Sequence, residues 1–153
     1  MQYGFIEHPR DVPASIVPIE AGEGSLPASL DLDGQRLQGG IVIHTEAEVV
    51  PGQEVEVRTG LRNRPVRYRA RVLWVVEQEE RSIGLVFESE QQAFLARMTE
   101  QVCHIEHFRL QQARLGRRLS EAEAAREWIE KHSQDFPRIG PVTPTEHLRH
   151  SAA

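Results

Sequence analysis

Hydrophobic and polar positions alternate with a period of two from Arg67 to Val76. Tyr68, Ala70, Val72, Trp74 and Val76 fall on one side, and Arg67, Arg69 and Arg71 on the other. This pattern predicts a half-buried strand whose first set faces a core. Val55 and Val57, set between Glu54, Glu56 and Arg58, repeat the logic one strand earlier. Shorter apolar stretches predict further strands, so the expected strands cover residues 15–20, 27–32, 40–44, 54–58, 66–76 and 82–87. Turn formers separate them at Gly22-Glu23-Gly24-Ser25, Asp33-Gly34, Pro51-Gly52 and Arg62-Asn63-Arg64-Pro65. Six such strands close most simply as a barrel, which removes exposed sheet edges.

Near Glu90 the period changes to about 3.6. Phe94, Met98, Val102 and Ile105 recur at helical spacing with Leu95 beside them, which predicts a long helix capped by Ser89 and ending near Gly116. Ser120-Glu121-Ala122-Glu123 has the form of a capping box and opens a second helix carrying Ala125, Trp128 and Ile129, stopped by Asp135-Phe136-Pro137. The chain therefore divides into an N-terminal lead-in at 1–12, a β-barrel at 13–88, a helical extension at 89–136 and a flexible tail at 137–153.

At 153 residues the chain suits one domain with appendages. Apolar runs such as Val72-Leu73-Trp74-Val75-Val76 are far too short to span a bilayer, and Met1 to Phe5 lack the charged and apolar regions of a signal peptide. A cytoplasmic location with no membrane insertion is expected. Cys103 is the one cysteine, which excludes an internal disulfide and a multi-cysteine zinc site. The net charge of -5 argues against general nucleic-acid binding, because phosphate contacts need a basic face.

Nothing in the spacing supports catalysis. No nucleophile elbow, HExxH or P-loop is present, and Asp31 and Asp33 beside Gly34 read as a turn, so the chain is expected not to be an enzyme. Cys103, His104 and His107, with Glu100 one turn earlier, form the one metal-like grouping. They share a helix face roughly opposite Phe94, Met98, Val102 and Ile105, and zinc accepts such ligands. Without a second ligand cluster, the favoured reading is a polar face and no cofactor. Arg62, Arg64, Arg67, Arg69 and Arg71 make a basic run followed by Glu77, Glu79 and Glu80, which reads as a solvated strand face before an anion site. Phe108, Leu110, Leu115 and Leu119 exceed what a small barrel can cover. They pack on Trp128 and Ile129 of the second helix, or else Phe108, Leu115 and Trp128 mark a partner or homo-oligomer surface.

Several short motifs together resemble the PilZ family. They are Phe5-Ile6-Glu7-His8-Pro9-Arg10-Asp11-Val12-Pro13, Gly39-Gly40-Ile41-Val42-Ile43, Pro51-Gly52 followed by a strand, Arg71-Val72-Leu73-Trp74 and Ile83-Gly84-Leu85-Val86-Phe87. The helical stretch around Cys103-His104-Ile105-Glu106-His107-Phe108 is similar to an extension in one bacterial subset, so the resemblance covers roughly residues 5–136. It implies a mainly β fold with α: a six-stranded antiparallel PilZ-like β-barrel followed by one long and one shorter helix. It also implies a bacterial signalling role tied to cyclic di-GMP, which family members hold through an RxxxR pair and a [DN]xSxxG segment. Here Gln35 and Leu37 stand at the polar positions of the second motif, Gly40 keeps its last position, and no register around Arg10 yields an arginine pair. The residues left to contact the dinucleotide are Arg10, Arg36, Gly39 and Gly40, with Arg67 and Arg69 as a second choice. Lost charge-assisted contacts at about 1.5–3 kcal/mol each predict weak or no binding. The expected role is an adaptor that contacts another protein; the alternatives are a true cyclic di-GMP receptor using substitute arginines and a metal-dependent regulator.

Overall fold

The computed structural model describes residues 3–19, 35–61 and 65–144. Six strands form one sheet: β1 (Phe5–Glu7), β2 (Ala14–Pro18), β4 (Gly40–His44), β5 (Glu54–Thr59), β6 (Val66–Glu77) and β7 (Arg81–Val86). Their order is β1-β4-β7-β6-β5-β2, and a separate short pair joins β3 (Gln35–Arg36) to β8 (Thr143–Pro144). The strands expected at 40–44, 54–58, 66–76 and 82–87 are present, and the one expected at 15–20 is shorter, ending at Pro18. The strand expected at 27–32, and the turns at 22–25, 33–34 and 62–64, lie outside the described residues.

The sheet is mixed and open, where the sequence led us to expect a closed antiparallel barrel. β1 runs parallel to β4, with Phe5 opposite Gly40, and all other neighbours are antiparallel. β1 comes from the lead-in assigned to residues 1–12; three residues are too few to show a period. It leaves β1 and β2 as the two edges, joined by the short segment 8–13. In a flat sheet, five spacings of about 4.8 Å would hold those edges about 24 Å apart. The connector could reach that far only if fully extended, at about 3.4 Å per residue. It instead contains a turn, with the Val12 amide donating to the Pro9 carbonyl at 3.3 Å. The sheet must therefore curl strongly, and its concave side holds Ile41, Ile43, Val55, Val57, Tyr68, Val72, Ile83 and Leu85.

The alternation in β6 holds only to Val72. The pairing with β7 shifts register between Val72 and Trp74, the signature of a bulge. Beyond it the faces exchange. Val75 packs against the core and Val76 is 40% exposed, while Trp74 lies opposite Gly84 and 5.1 Å from the Phe5 ring. The expected placement of Trp74 and Val76 on the core face is thus corrected by one unpaired residue, a slip that inverts every later position.

Two helices follow, α1 (Glu90–Arg114) and α2 (Glu121–His132), with a 3-10 turn at Ser133–Asp135. The Ser89 hydroxyl accepts from the Gln92 amide at 3.1 Å, as expected for an N-cap. At the other end Gly116 takes φ +88°, and the Gly116 and Arg117 amides donate to the Ala113 and Gln112 carbonyls, closing the helix as a Schellman motif. The Ser120 and Glu123 capping box of α2 is formed in both directions.

The orientation of α1 is the reverse of the one its large apolar residues predict. Phe94 is 67% exposed, Met98 42% and Val102 43%, whereas Ala93, Ala96, Thr99, Glu100 and Cys103 are buried. Small side chains let the helix approach the sheet closely, Glu100 finds its partner His8 in the segment between β1 and β2, and the Thr99 hydroxyl donates back to the Leu95 carbonyl of its own helix. A hydrophobic-moment argument sees neither effect. Residues 137–144 also pack back on the sheet, through Gly4 to Arg138, Gly140 to Gln38 and Val142 to Phe87 backbone bonds of 2.7–3.1 Å. The flexible tail expected from residue 137 therefore does not begin there; residues 145–153 lie outside the described residues.

Steric demand at Gly84 gives a direct check. A β-carbon there would meet the Trp74 ring at 2.4 Å, so Gly84→Ala should destabilise the protein by about 1–3 kcal/mol in urea unfolding. Trp74→Leu in the same chain should recover part of that loss, giving a non-additive double-mutant cycle.

Candidate functional site

The segment after β1 is fastened to one face of α1 by three histidines. His8 Nδ1–H donates to Glu100 Oε2 at 2.8 Å, and its Nε2–H donates to the Val12 carbonyl at 2.7 Å. His104 Nε2–H donates to the Glu7 carbonyl at 2.9 Å, and His107 Nδ1–H donates to Asp11 Oδ1 at 2.7 Å. Arg114 adds its charge to Asp11 at 3.6 Å. Glu100, Cys103, His104 and His107 share this face because their helical spacing puts them there. The sequence grouped them on one polar face but did not show that the segment around His8 packs on it.

At the centre of this clasp is a buried ion pair. His8 is 4% exposed and Glu100 0%. Burial opposes a charged imidazole, but the hydrogen bond and charge of Glu100, together with the Val12 carbonyl, outweigh it and raise the His8 pKa. Both ring nitrogens face acceptors, so the imidazolium is the form that satisfies them. His104 goes the other way: burial first lowers its pKa, and it stays neutral near pH 7. Burial, reinforced by Glu100, pushes the Cys103 thiol well above its ordinary range, and the fully buried Tyr68 phenol likewise stays protonated. Glu100 Oε1 and the Tyr68 hydroxyl are buried without a hydrogen-bond partner among the described residues.

The metal-like set expected from the sequence is therefore split. Cys103, His104 and His107 turn toward three different neighbours, and the atoms that converge belong to His8, Glu100 and Cys103, all within 4.8 Å of one another. His8 was missed because it lies 92 residues from Glu100. Its one local signal was a histidine in an otherwise extended lead-in. This trio offers nitrogen, oxygen and sulfur ligands of the kind zinc accepts. However, nitrogen and oxygen ligands on a tetrahedral zinc stand roughly 3.3 Å apart, so His8 and Glu100 would have to separate from their hydrogen bond.

The candidate dinucleotide contacts do not form one site. Arg10 grips Glu80 with contacts of 2.7–3.1 Å, both residues exposed, and Arg36 is exposed on β3. Gly39 takes φ +82°, and a β-carbon on it would come 2.2 Å from the Gly4 carbonyl oxygen. One on Gly40 would come 2.1 Å from the Leu85 carbonyl oxygen. The chain's own backbone thus fills the space that these glycines leave. Arg67 and Arg69 are exposed on β6, opposite Arg58 and Glu56 of β5. Of the expected partner surface, Phe108 and Trp128 are 7% and 4% exposed and pack between the helices and Phe136, while Leu115 is 76% exposed. Burial thus removes Phe108 and Trp128 from any docking surface.

Breaking the buried pair by Glu100→Ala should cost about 3–5 kcal/mol, because it strands a buried imidazolium. The pH dependence has a definite sign. A histidine whose folded pKa is raised stabilises most below its unfolded value of about 6.5 and loses that contribution as pH rises through the folded pKa. The difference in urea stability between wild type and His8→Gln should accordingly shrink as pH rises above about 6.5. Comparison with protein-family models, curated proteins and solved structures finds no match to this chain.

Proposed function

We propose that the chain is a non-catalytic adaptor of PilZ type, acting in the bacterial cytoplasm in cyclic di-GMP-related regulation, mainly by contact with another protein. The order of elements, with strands first and a long helix after the last strand, supports the assignment. So does a sheet that the 8–13 connector forces to curl, although a closed barrel would further require β1 and β2 to pair. Direct capture of cyclic di-GMP is disfavoured by what surrounds the residues that would perform it. Arg10 is engaged by Glu80, Gly39 and Gly40 are packed by backbone, and Leu37 and Gln35 supply no paired acid and hydroxyl.

The observation that carries the adaptor reading is the outward row Phe94, Met98 and Val102 on α1. Residues at i, i+4 and i+8 form one continuous apolar strip, and here all three are more than 40% exposed. Such a row on a helix that already packs its other side is the form taken by helix-in-groove recognition. No helix among the described residues is long and apolar enough to cross a membrane.

Met98→Ser with Val102→Ser should abolish co-purification of the partner from the native host and leave thermal stability nearly unchanged, since both side chains are already exposed. Light scattering of the purified chain distinguishes a second copy from a different protein. Calorimetric titration with cyclic di-GMP should give no heat at tens of micromolar ligand; saturable heat would favour the receptor reading with substitute arginines.

A further inference from the structure

A cavity of about 840 Å³ opens between the first turns of α1 and the segment 137–143. Its size falls in the range of small-molecule sites. Its walls are partly apolar, from Ala93, Phe94, Ile139 and Pro141, but two guanidiniums, those of Arg97 and Arg138, also line it. Neither has a carboxylate partner among the described residues, although most other arginines of α1 and the sheet do. Glu90 is the one acid in the lining among the described residues.

Each guanidinium is held in place by the fold. Arg97 Nε–H donates to the Pro137 carbonyl at 2.8 Å, and its Cζ sits 5.4 Å from the centroid of the Phe136 ring. Arg138 lies over the Tyr3 ring at 5.3 Å. Each guanidinium thus lies within cation–π distance of an aromatic ring and keeps N–H groups for another acceptor. Burial first, and then the charge of Arg138, work against the charge on Arg97. Arg97 is half-buried and Arg138 exposed, so an anion entering the cavity would meet two positive forks, the first of them partly desolvated.

We propose that this cavity binds a phosphomonoester carrying a planar ring, with the phosphate held by Arg97 and Arg138 and the ring against the exposed Phe94. A terminal phosphate carries nearly two negative charges at neutral pH and three acceptor oxygens, which suits two positive forks. A phosphodiester carries one charge per phosphorus and fits this pairing less well. The cavity exceeds what a bare phosphate fills, and its apolar walls give the organic part its place. This site shares Phe94 with the row on α1 but does not rest on the adaptor reading, and it uses neither the Arg10 region nor Met98 and Val102.

The test is titration of the full chain with inorganic phosphate, phenyl phosphate and a nucleoside 5′-monophosphate, read by calorimetry and by thermal shift. The two ring-bearing esters should bind at least about tenfold more tightly than inorganic phosphate. Arg97→Gln and Arg138→Gln should each weaken them by about tenfold or more, the scale of one charge-assisted contact. Arg118→Gln, a surface control, should change nothing. Arg138→Lys, which keeps the charge and loses the planar fork, covers the case in which a glutamine variant folds poorly and should still weaken binding. Absence of binding by all three anions at millimolar concentration overturns the proposal, as does wild-type affinity in the Arg97 and Arg138 variants. Equal affinity for inorganic phosphate and both esters overturns the ring assignment. Failure here leaves the row on α1 untouched, and a lost partner there leaves this cavity untouched.

Discussion

The buried contact between His8 and Glu100 is the constraint on which the rest of the structure depends. Two charges taken out of water are costly unless they meet each other. His8 and Glu100 do meet, with Glu100 Oε1 left without a partner among the described residues, and their contact joins a connector between two sheet edges to the middle of a helix. It therefore sets where α1 crosses the sheet and which way it is rotated. With Glu100 facing inward, Cys103, Thr99 and Ala96 follow it into the interior, and Phe94, Met98 and Val102 are left outside. The exposure of that row is a consequence of a polar contact, which explains why a purely apolar account of the helix fails. Such a pair contributes more to a unique arrangement than to net stability, because a well-packed apolar pair of similar volume could be as stable.

Much of the architecture was legible in the sequence wherever local chemistry decides it. Ser89, Gly116 and the Ser120-Glu123 box mark the helix ends because caps are satisfied by neighbours a few residues away. β4 to β7 follow from turn formers and alternation. What was not legible depends on distant partners. The three residues of β1 have no period of their own and exist as a strand only because β4 offers an edge. The bulge after Val72 leaves no mark in composition, yet it exchanges the faces of Trp74 and Val75. The candidate site behaved alike: Glu100, Cys103, His104 and His107 were recognised as one face, while His8, Glu7 and Asp11, which give that face its role, were out of reach of any local pattern.

The glycine-centred stretch at 37–40 has a related lesson. Paired glycines in such a stretch can be required by packing alone. At Gly39 and Gly40 the nearest atoms are carbonyl oxygens of Gly4 and Leu85, so the absence of a side chain there is required by the joining of β1 and β4 and the approach of the 137–140 segment. The same approach forms one wall of the cavity lined by Arg97 and Arg138. A segment that closes against the sheet thus both fills one potential ligand space and creates another.

The edge strands β1 and β2 lie next to each other in the chain and at opposite ends of the sheet. Residues 5–18 leave the ribosome before any of their partners in β4, β5 or α1 exists. Their strand pairing waits for β4 and β5, and the contacts with the histidine-bearing turns of α1 wait for residues made nearly a hundred positions later. A segment made before the rest of the sheet is thus fastened by a helix made after it.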